Sequence, residues 1–408
     1  MSDVGHLSGP FPILAQNGGP QKDIEGRRTM LLHCLLSFLA GVSAFAPHVA
    51  ANAASRTSIR MPAVARSAKV FAVMQKEPVA DTASSEAAVP VEPAATPAAN
   101  DLRNTLTTGS YFALWYLFNI ANQIYNKKAL NALPIPYTMA ALQLFVGIPY
   151  VLLLWATGLR KTPKLSTDNI KNLLPVSLCH LGTHVGAVVS LSAGAVSFTH
   201  IVKASEPVVS AALSFFLLGA VSSWQTYLTL LPIVGGVALA SVKELSFTWL
   251  GFIAAMGSNL SSAFRAILAK KRLGTKGIGQ NMGEANLYAV LTILAFIAMV
   301  PISLIIEPPV AVMAAISSAQ AAGFSSSYLW TCSVLSGFFF YLYNEVAFLA
   351  LGRVNPVTHA VGNTLKRVVI IIASVIAFKT PISTLGVIGS SIALTGTLLY
   401  SLSKSKFG

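Results

Sequence analysis

The chain has 408 residues, 54% hydrophobic and only 10% charged, with a mean hydropathy of +0.65 and a formal charge of +14. A soluble domain is about one quarter charged, and 28 Lys and Arg with 14 Asp and Glu cannot coat the two or three domains that a soluble chain of this length would form. That excludes a soluble enzyme and a disordered scaffold; a nucleic-acid binder is excluded because the basic residues gather on no candidate reading element. What remains is a polytopic membrane protein with an N-terminal extension.

Residues 1–100 hold one apolar run, Leu31 to Phe45, too short to cross a hydrocarbon core about 30 Å thick. It follows Arg27 and Arg28 and ends in small residues before Pro47, the pattern of a secretory signal peptide over 1–47. From Pro47 to Gln75 there is no Asp or Glu, while Arg56, Arg60, Arg66 and Lys69 stand among Ser and Ala, a transit-peptide composition. Residues 76–100 read as an Ala/Pro/Glu-rich linker, which closes a second segment, 48–100. A signal peptide followed by a transit peptide, with Phe45 just after the cleavage point, resembles the bipartite presequence of plastids bounded by extra membranes. Cys34, Cys179 and Cys332 have neither disulfide nor metal spacing.

Beyond residue 100 the apolar runs predict an all-α membrane protein of ten helices at about 108–126, 135–157, 170–191, 196–218, 223–242, 246–269, 284–306, 327–350, 354–378 and 382–402. With ten spans both ends of this region share a side. Arg103, Arg160, Lys161, Lys164, Lys171, Lys270, Lys271, Arg272, Lys276, Arg353, Lys404 and Lys406 fall on that side, and Lys127, Lys128, Lys243 and Lys379 on the other, a positive-inside bias. Thr199-His200-Ile201-Val202 in the fourth span is matched by Thr358-His359-Ala360-Val361 in the ninth. Five spans per half is an odd number, so the second half is inverted. The expected architecture is two inverted five-helix repeats, 101–245 and 246–408, around a central site.

Ionisable residues at bilayer depth are costly and mark function. Here they are Lys203, Glu206, Arg265, Glu345, Lys366 and Arg367. Glu206 lies three residues after Lys203, on one helix face, and Pro207 is expected to kink the fourth span beside them. Two carboxylates cannot balance four cations, so two positive charges are left over, and their natural counterion is a mobile anion. Arg provides a planar fork for phosphate oxygens and Lys a movable point charge. Voltage sensors repeat Arg at every third position on one helix, which this chain does not. His180 and His184 share a helix face, but no third ligand is near, and no nucleophile elbow, phosphate loop or His-Glu-x-x-His occurs. No metal, cofactor or catalytic activity is expected.

The run Val196-Ser197-Phe198-Thr199-His200-Ile201-Val202-Lys203-Ala204-Ser205-Glu206-Pro207, the pair Tyr343-Asn344, the block Thr358 to Val368, the stretch Ser246 to Phe252 through Arg265 and Lys270-Lys271, and Asn126-Lys127-Lys128 resemble the plastid phosphate translocators, members of the drug/metabolite transporter superfamily, over about 105–405. The resemblance implies exchange of inorganic phosphate for phosphorylated C3, C5 or C6 compounds across the plastid inner envelope. It implies that Lys203, Lys366, Arg367 and Tyr343 bind the phosphate and that His184 and Arg265 address the rest of the substrate. Glu206, Glu345, Thr199, Thr358 and His359 would support them. Two departures stand out: Ala187 replaces a site threonine, so Ser190 is a candidate to replace its hydrogen bond, and Glu345 stands where the family usually has Gln. His184 and the block Thr358-His359-Ala360 are most like the triose-phosphate branch. Expected partners are inorganic phosphate, three-carbon phosphorylated metabolites and membrane lipid, without nucleic acid, the protein being a monomer or weak homodimer. The alternatives are an antiporter of phosphoenolpyruvate, pentose or hexose phosphate, a nucleotide-sugar carrier and a membrane-embedded enzyme acting on a phosphorylated lipid. The presequence and Lys366-Arg367 disfavour the nucleotide-sugar carrier; the lipid enzyme lacks a nucleophile or metal set.

Overall fold

The computed structural model describes residues 97–407 except 243, 274–277, 355 and 381, with backbone alone at 97–103, 270, 272, 273 and 356. The signal-like and transit-like segments therefore lie outside the described residues. Thirteen helices follow: α1 (Pro97–Ala132), α2 (Pro136–Ala156), α3 (Thr167–Ala193), α4 (Val196–Lys203), α5 (Glu206–Leu218), α6 (Trp224–Leu228), α7 (Leu230–Val242), α8 (Trp249–Leu273), α9 (Glu284–Ile306), α10 (Pro309–Ala321), α11 (Ser326–Leu351), α12 (Pro356–Phe378) and α13 (Thr384–Phe407). The protein is an all-helical membrane protein; among the described residues the only β contact is a bridge between Lys164 and Gln280.

Among the described residues nine stretches are long and apolar enough to cross a bilayer, and α4–α5 and α6–α7 each form one of them. α1 is not among them, although the first expected span lies within it. At 36 residues it is longer than the expected 108–126. Its apolar pattern is diluted by Asn119, Asn122, Gln123 and Asn126, all buried. The amides bind neighbouring helices: Asn122 Nδ2 donates to Ser336 O at 2.8 Å, and Gln143 Nε2 donates to Asn126 Oδ1 at 2.8 Å and Ser336 Oγ at 3.1 Å. In hydrocarbon such bonds hold helices together. α10 is not among the expected helices; at 13 residues it is too short to span. Just before it, Glu307 accepts from the backbone N–H groups of Tyr137 (3.1 Å) and Thr138 (2.6 Å), which places a carboxylate on the positive N-terminal end of α2.

Helix packing repeats under exchange of the two halves. α1 packs on α11 and, equivalently, α8 on α3; α2 on α11 and α9 on α3; α8 on α5 and α1 on α12; α2 on α3 and α9 on α11. The pairs α2–α9, α4–α12 and α7–α13 each join a helix to its own counterpart, as an axis relating inverted repeats requires. One departure is directional. α1 packs on α3, where Lys127 Nζ donates to Leu191 O and Gly194 O, both at 2.7 Å; no comparable packing joins α8 to α11 among the described residues.

The α7–α13 crossing is the tightest self-related contact. A Cβ on Gly236 would lie 2.5 Å from Ala393 N and 2.6 Å from Gly389 O; one on Gly389 would lie 2.5 Å from Ala240 N and 2.6 Å from Gly236 O. Each helix presents Gly-x-x-x-Ala to the other, antiparallel and reciprocal, which allows the backbones to touch. Gly236→Leu or Gly389→Leu should lower stability in detergent by about 1–3 kcal/mol through overpacking, read as a loss of thermal midpoint, while Gly235→Leu, where a Cβ meets nothing, should leave it unchanged.

Candidate functional site

The site is organised by the break between α4 and α5. The fourth span stops being helical at Ala204-Ser205 and resumes at Glu206. In an unbroken helix Lys203 O would accept from the N–H of residue 207, but Pro207 has none. Arg367 Nη1, from α12 in the other repeat, donates to that carbonyl instead. The neighbouring carbonyls are satisfied in the same way: Asn259 Nδ2 donates to Val202 O at 3.1 Å and Thr397 Oγ1 to Ala204 O at 3.1 Å. Irregular backbone at membrane depth survives where protein groups complete it. The expected kink is therefore a complete interruption, capped from α8, α12 and α13.

The ionisable groups gather there. Arg367 Nη2 donates to Glu206 Oε2 at 2.7 Å, and Ser262 Oγ donates to Glu206 Oε1 at 2.5 Å. Lys203 Nζ donates to Ser258 Oγ at 2.6 Å. Lys366 Nζ stands 4.7 Å from the ring centroid of Trp115 and, among the described residues, has no hydrogen bond or ion pair. Arg367 is buried, whereas Lys203 and Glu206, which flank the break, and Arg265 and Lys366, within their helices, are each partly exposed.

Arg265 lies one layer away, its Nη1 3.0 Å from His180 Nδ1. Ser258, Ser262 and Arg265 occupy one stripe of α8 at spacings of four and three. His184 is on α3 with its Nε2 3.3 Å from Ala140 O and its ring 4.0 Å from Phe340; Phe340 in turn meets Tyr343 edge-on at 5.7 Å. The imidazole beside Arg265 is thus His180 rather than His184. Ser190 is engaged with Thr199, Oγ to Oγ1 at 2.8 Å, both buried, which uses the hydroxyl expected to replace the one missing at Ala187. His359 stacks on Trp115 at 5.1 Å, and Thr358 is exposed on the first turn of α12.

Glu345, counted above with the membrane charges, is paired outside the spans. It binds Arg160, in the segment between α2 and α3: Nη2 donates to Oε1, and Nη1 to Oε2 at 3.4 Å. Burial alone would lower the Arg160 pKa; the hydrogen bond and charge of Glu345 outweigh that and raise it. Tyr341 stands between Tyr150 (5.5 Å) and Tyr288 (5.1 Å) beside the pair. Since Glu345 is committed to a loop arginine, the membrane cations Lys203, Arg265, Lys366 and Arg367 share one carboxylate, Glu206, and the surplus is three charges rather than two. A cavity of about 600 Å³ is lined mainly by apolar groups such as Val208, Val237, Phe247, Phe252 and Met256, with Ser205 of the break at its edge, and by none of the four cations.

Sequence reasoning did not single out Trp115, Arg160, Ser258 or Ser262. The serines were detectable as small polar residues one and two turns before Arg265 on its own face; the other two had no local signal.

Residues 106–401 match the model of the triose-phosphate transporter family. The chain belongs to this family. It is 44% identical to the triose phosphate/phosphate translocator of Spinacia oleracea over 305 residues, 74% of this chain and 73% of that one. It is 40% identical to phosphoenolpyruvate/phosphate translocator 1 of Oryza sativa subsp. japonica (74% and 72% covered) and 41% identical to glucose-6-phosphate/phosphate translocator 1 of Arabidopsis thaliana (73% and 76% covered). All three are named as chloroplastic. The narrow spread of identities separates the family from others but not one substrate branch from the next.

Removing the shared carboxylate should be costly. Glu206→Gln leaves Arg367 without its counter-charge and should destabilise the protein by about 3 kcal/mol, whereas Glu206→Gln with Arg367→Met should recover part of that loss, as read by thermal unfolding in detergent. For the more peripheral pair, a double-mutant cycle of Arg160→Ala and Glu345→Gln should show coupling of about 1–3 kcal/mol.

Proposed function

We propose that the protein is a plastid-envelope antiporter that exchanges inorganic phosphate for triose phosphate or 3-phosphoglycerate, one for one, by alternating access. The observation that carries this reading is the surplus of positive charge around the α4–α5 break: Lys203, Lys366 and Arg367 share Glu206, and a phosphate dianion would complete the balance. Arg367 has a planar fork for phosphate oxygens and Lys203 and Lys366 are point charges; Tyr343 would add a hydroxyl. Arg265, with His180 at 3.0 Å, suits the carboxylate of a three-carbon acid, and His184 the remaining oxygens. His184 and the Thr358-His359-Ala360 block favour the triose-phosphate branch, while the relatives' names leave phosphoenolpyruvate and glucose 6-phosphate as the alternatives. The presequence-like N-terminus and the chloroplastic relatives support a plastid location, and the signal-plus-transit order a plastid with additional membranes.

Strict exchange follows from the same charges. Three mutually repelling cations oppose closure of the two repeats around an empty site; a bound dianion neutralises most of the charge. A ligand shifts such an equilibrium only by its different affinity for the two states, and the anion's affinity is greatest where the cations are closest.

Liposomes carrying the purified protein should take up labelled phosphate when preloaded with phosphate and not when empty; equal uptake would refute obligatory exchange. Lys203→Ala, Lys366→Ala and Arg367→Ala should each reduce exchange by at least about 100-fold, a loss of roughly 3 kcal/mol per charge-assisted contact; the lysine variants should stay folded, while Arg367→Ala, which leaves Glu206 unpaired, should also lower the thermal midpoint. Competition by dihydroxyacetone phosphate, phosphoenolpyruvate, glucose 6-phosphate and a nucleotide sugar ranks the substrates, dihydroxyacetone phosphate being the strongest on this reading.

A further inference from the structure

Trp115 lies on α1, and its indole is 2% exposed with Nε1 lacking a hydrogen-bond partner among the described residues. Lys366 Nζ is 4.7 Å from its ring centroid, and the His359 ring stacks on it at 5.1 Å with 15° between the planes. His359 and Lys366 are seven residues apart, two turns on one face of α12, so one helix applies an imidazole and an ammonium to a single indole. The two helices are held closely at that level. Tyr116 Oη donates to Gly362 O at 2.6 Å, and a Cβ on Gly362 would lie 2.3 Å from Phe112. The indole therefore has little freedom, while the ammonium it faces sits on a flexible four-carbon stem and has no other partner among the described residues.

We propose that Trp115 is the positioning residue for Lys366: the indole face backs the ammonium and aims its N–H donors at the incoming anion. A lysine hydrogen-bonded to a side chain has one of its three donors committed before a phosphate arrives. One resting on an aromatic face keeps its three donors while the ring attracts the charge. Lys203 is of the first kind, bonded to Ser258; Lys366 is of the second. The proposal rests on the phosphate-exchange reading and deepens it, adding a residue that acts on the anion through Lys366.

The test uses the full chain reconstituted in liposomes and inorganic phosphate as the probe. Tryptophan emission is followed during a phosphate titration, and subtracting the response of Trp115→Phe from that of wild type isolates Trp115 from Trp155, Trp224, Trp249 and Trp330. The expected difference is saturable, has a midpoint at the KM for phosphate exchange, and vanishes in Lys366→Met. In exchange assays Trp115→Phe, which retains an aromatic face, should stay within about twofold of wild type. Trp115→Leu should raise the KM for phosphate about five- to tenfold with kcat little changed, the range expected for a partly desolvated cation–π contact. A difference spectrum that ignores phosphate, or a Leu variant equal to the Phe variant, while wild type exchanges phosphate, overturns the proposal and leaves the function intact. If wild type itself fails to exchange phosphate, the functional reading falls, and this one with it. Should the Leu variant lose thermal stability, the emission difference between wild type, Trp115→Phe and Lys366→Met decides.

Discussion

Placing an ammonium or guanidinium group at mid-bilayer costs roughly 2.5–3.5 kcal/mol on insertion scales, and this fold gathers four of them within the spans with a single carboxylate among them. Each is stabilised differently. Arg367 has an ion pair and a carbonyl, Lys203 a serine hydroxyl, Arg265 an imidazole and Lys366 an indole face. Only the first of these removes formal charge. The rest are neutral contacts that satisfy donors and leave a positive potential in a low-dielectric space. A core built for stability alone would not be arranged this way, since apolar residues of similar volume would be cheaper. On the proposed reading an anion would compensate the surplus, and the empty site would be the less favourable state.

The broken fourth span shows how backbone and charge are coupled. Pro207 withdraws one N–H, and Lys203 O becomes an acceptor that a helix would have hidden. Arg367 fills that vacancy from the opposite repeat with one nitrogen and reaches Glu206 with the other. The guanidinium thus reads backbone and side chain of repeat 1 at once. Any movement of α12 relative to α4 has to break or re-form both contacts together, so the geometry of the break and the electrostatics of the site are one variable. Asn259 and Thr397, on α8 and α13, hold the adjoining carbonyls, so the interruption is fixed on its other sides while Arg367 alone comes from α12.

Much of this was readable from residue order. Apolar runs longer than a bilayer is thick gave the spans, and Pro207 gave the interruption because a missing N–H is a local property. The features that were not readable are those in which distance along the chain hides proximity or where polarity has a structural use. α1 is weakly apolar because Asn122 and Asn126 bond to α11 and α2, partners that no window on α1 contains. α10 is apolar but too short to register as a span. Glu345 was grouped with the membrane charges by its depth in an apolar run; its partner, Arg160, is 185 residues away in a loop, and that pairing changes the charge balance of the site. Trp115 looked like one more aromatic in an apolar helix. Its role comes from Lys366, and periodicity does not report which helix faces which.

The two-fold relation between the repeats has a limit that bears on mechanism. Helix packing obeys it, down to the reciprocal glycines of α7 and α13 and the Thr-His pairs at 199–200 and 358–359. The chemistry does not. Counting on from the matched threonines, Lys203 corresponds to Gly362 and Glu206 to Leu365, while Lys366 corresponds to Pro207. The proline that opens the backbone in one repeat is thus replaced by a cation in the other, and α12 runs on as unbroken helix through the site. On the proposed reading the two halves would exchange roles as one side or the other is sealed; in this structure α1 packs on α3 without an α8–α11 counterpart among the described residues. The asymmetric charges fall on two walls, Lys203, Glu206 and the interrupted backbone from the first half and Lys366 and Arg367 from the second. On the proposed reading one anion at a time would then bridge the walls, and it would occupy the same position whichever side is open. That is the condition under which two unlike phosphorylated compounds compete for one carrier and are exchanged one for one.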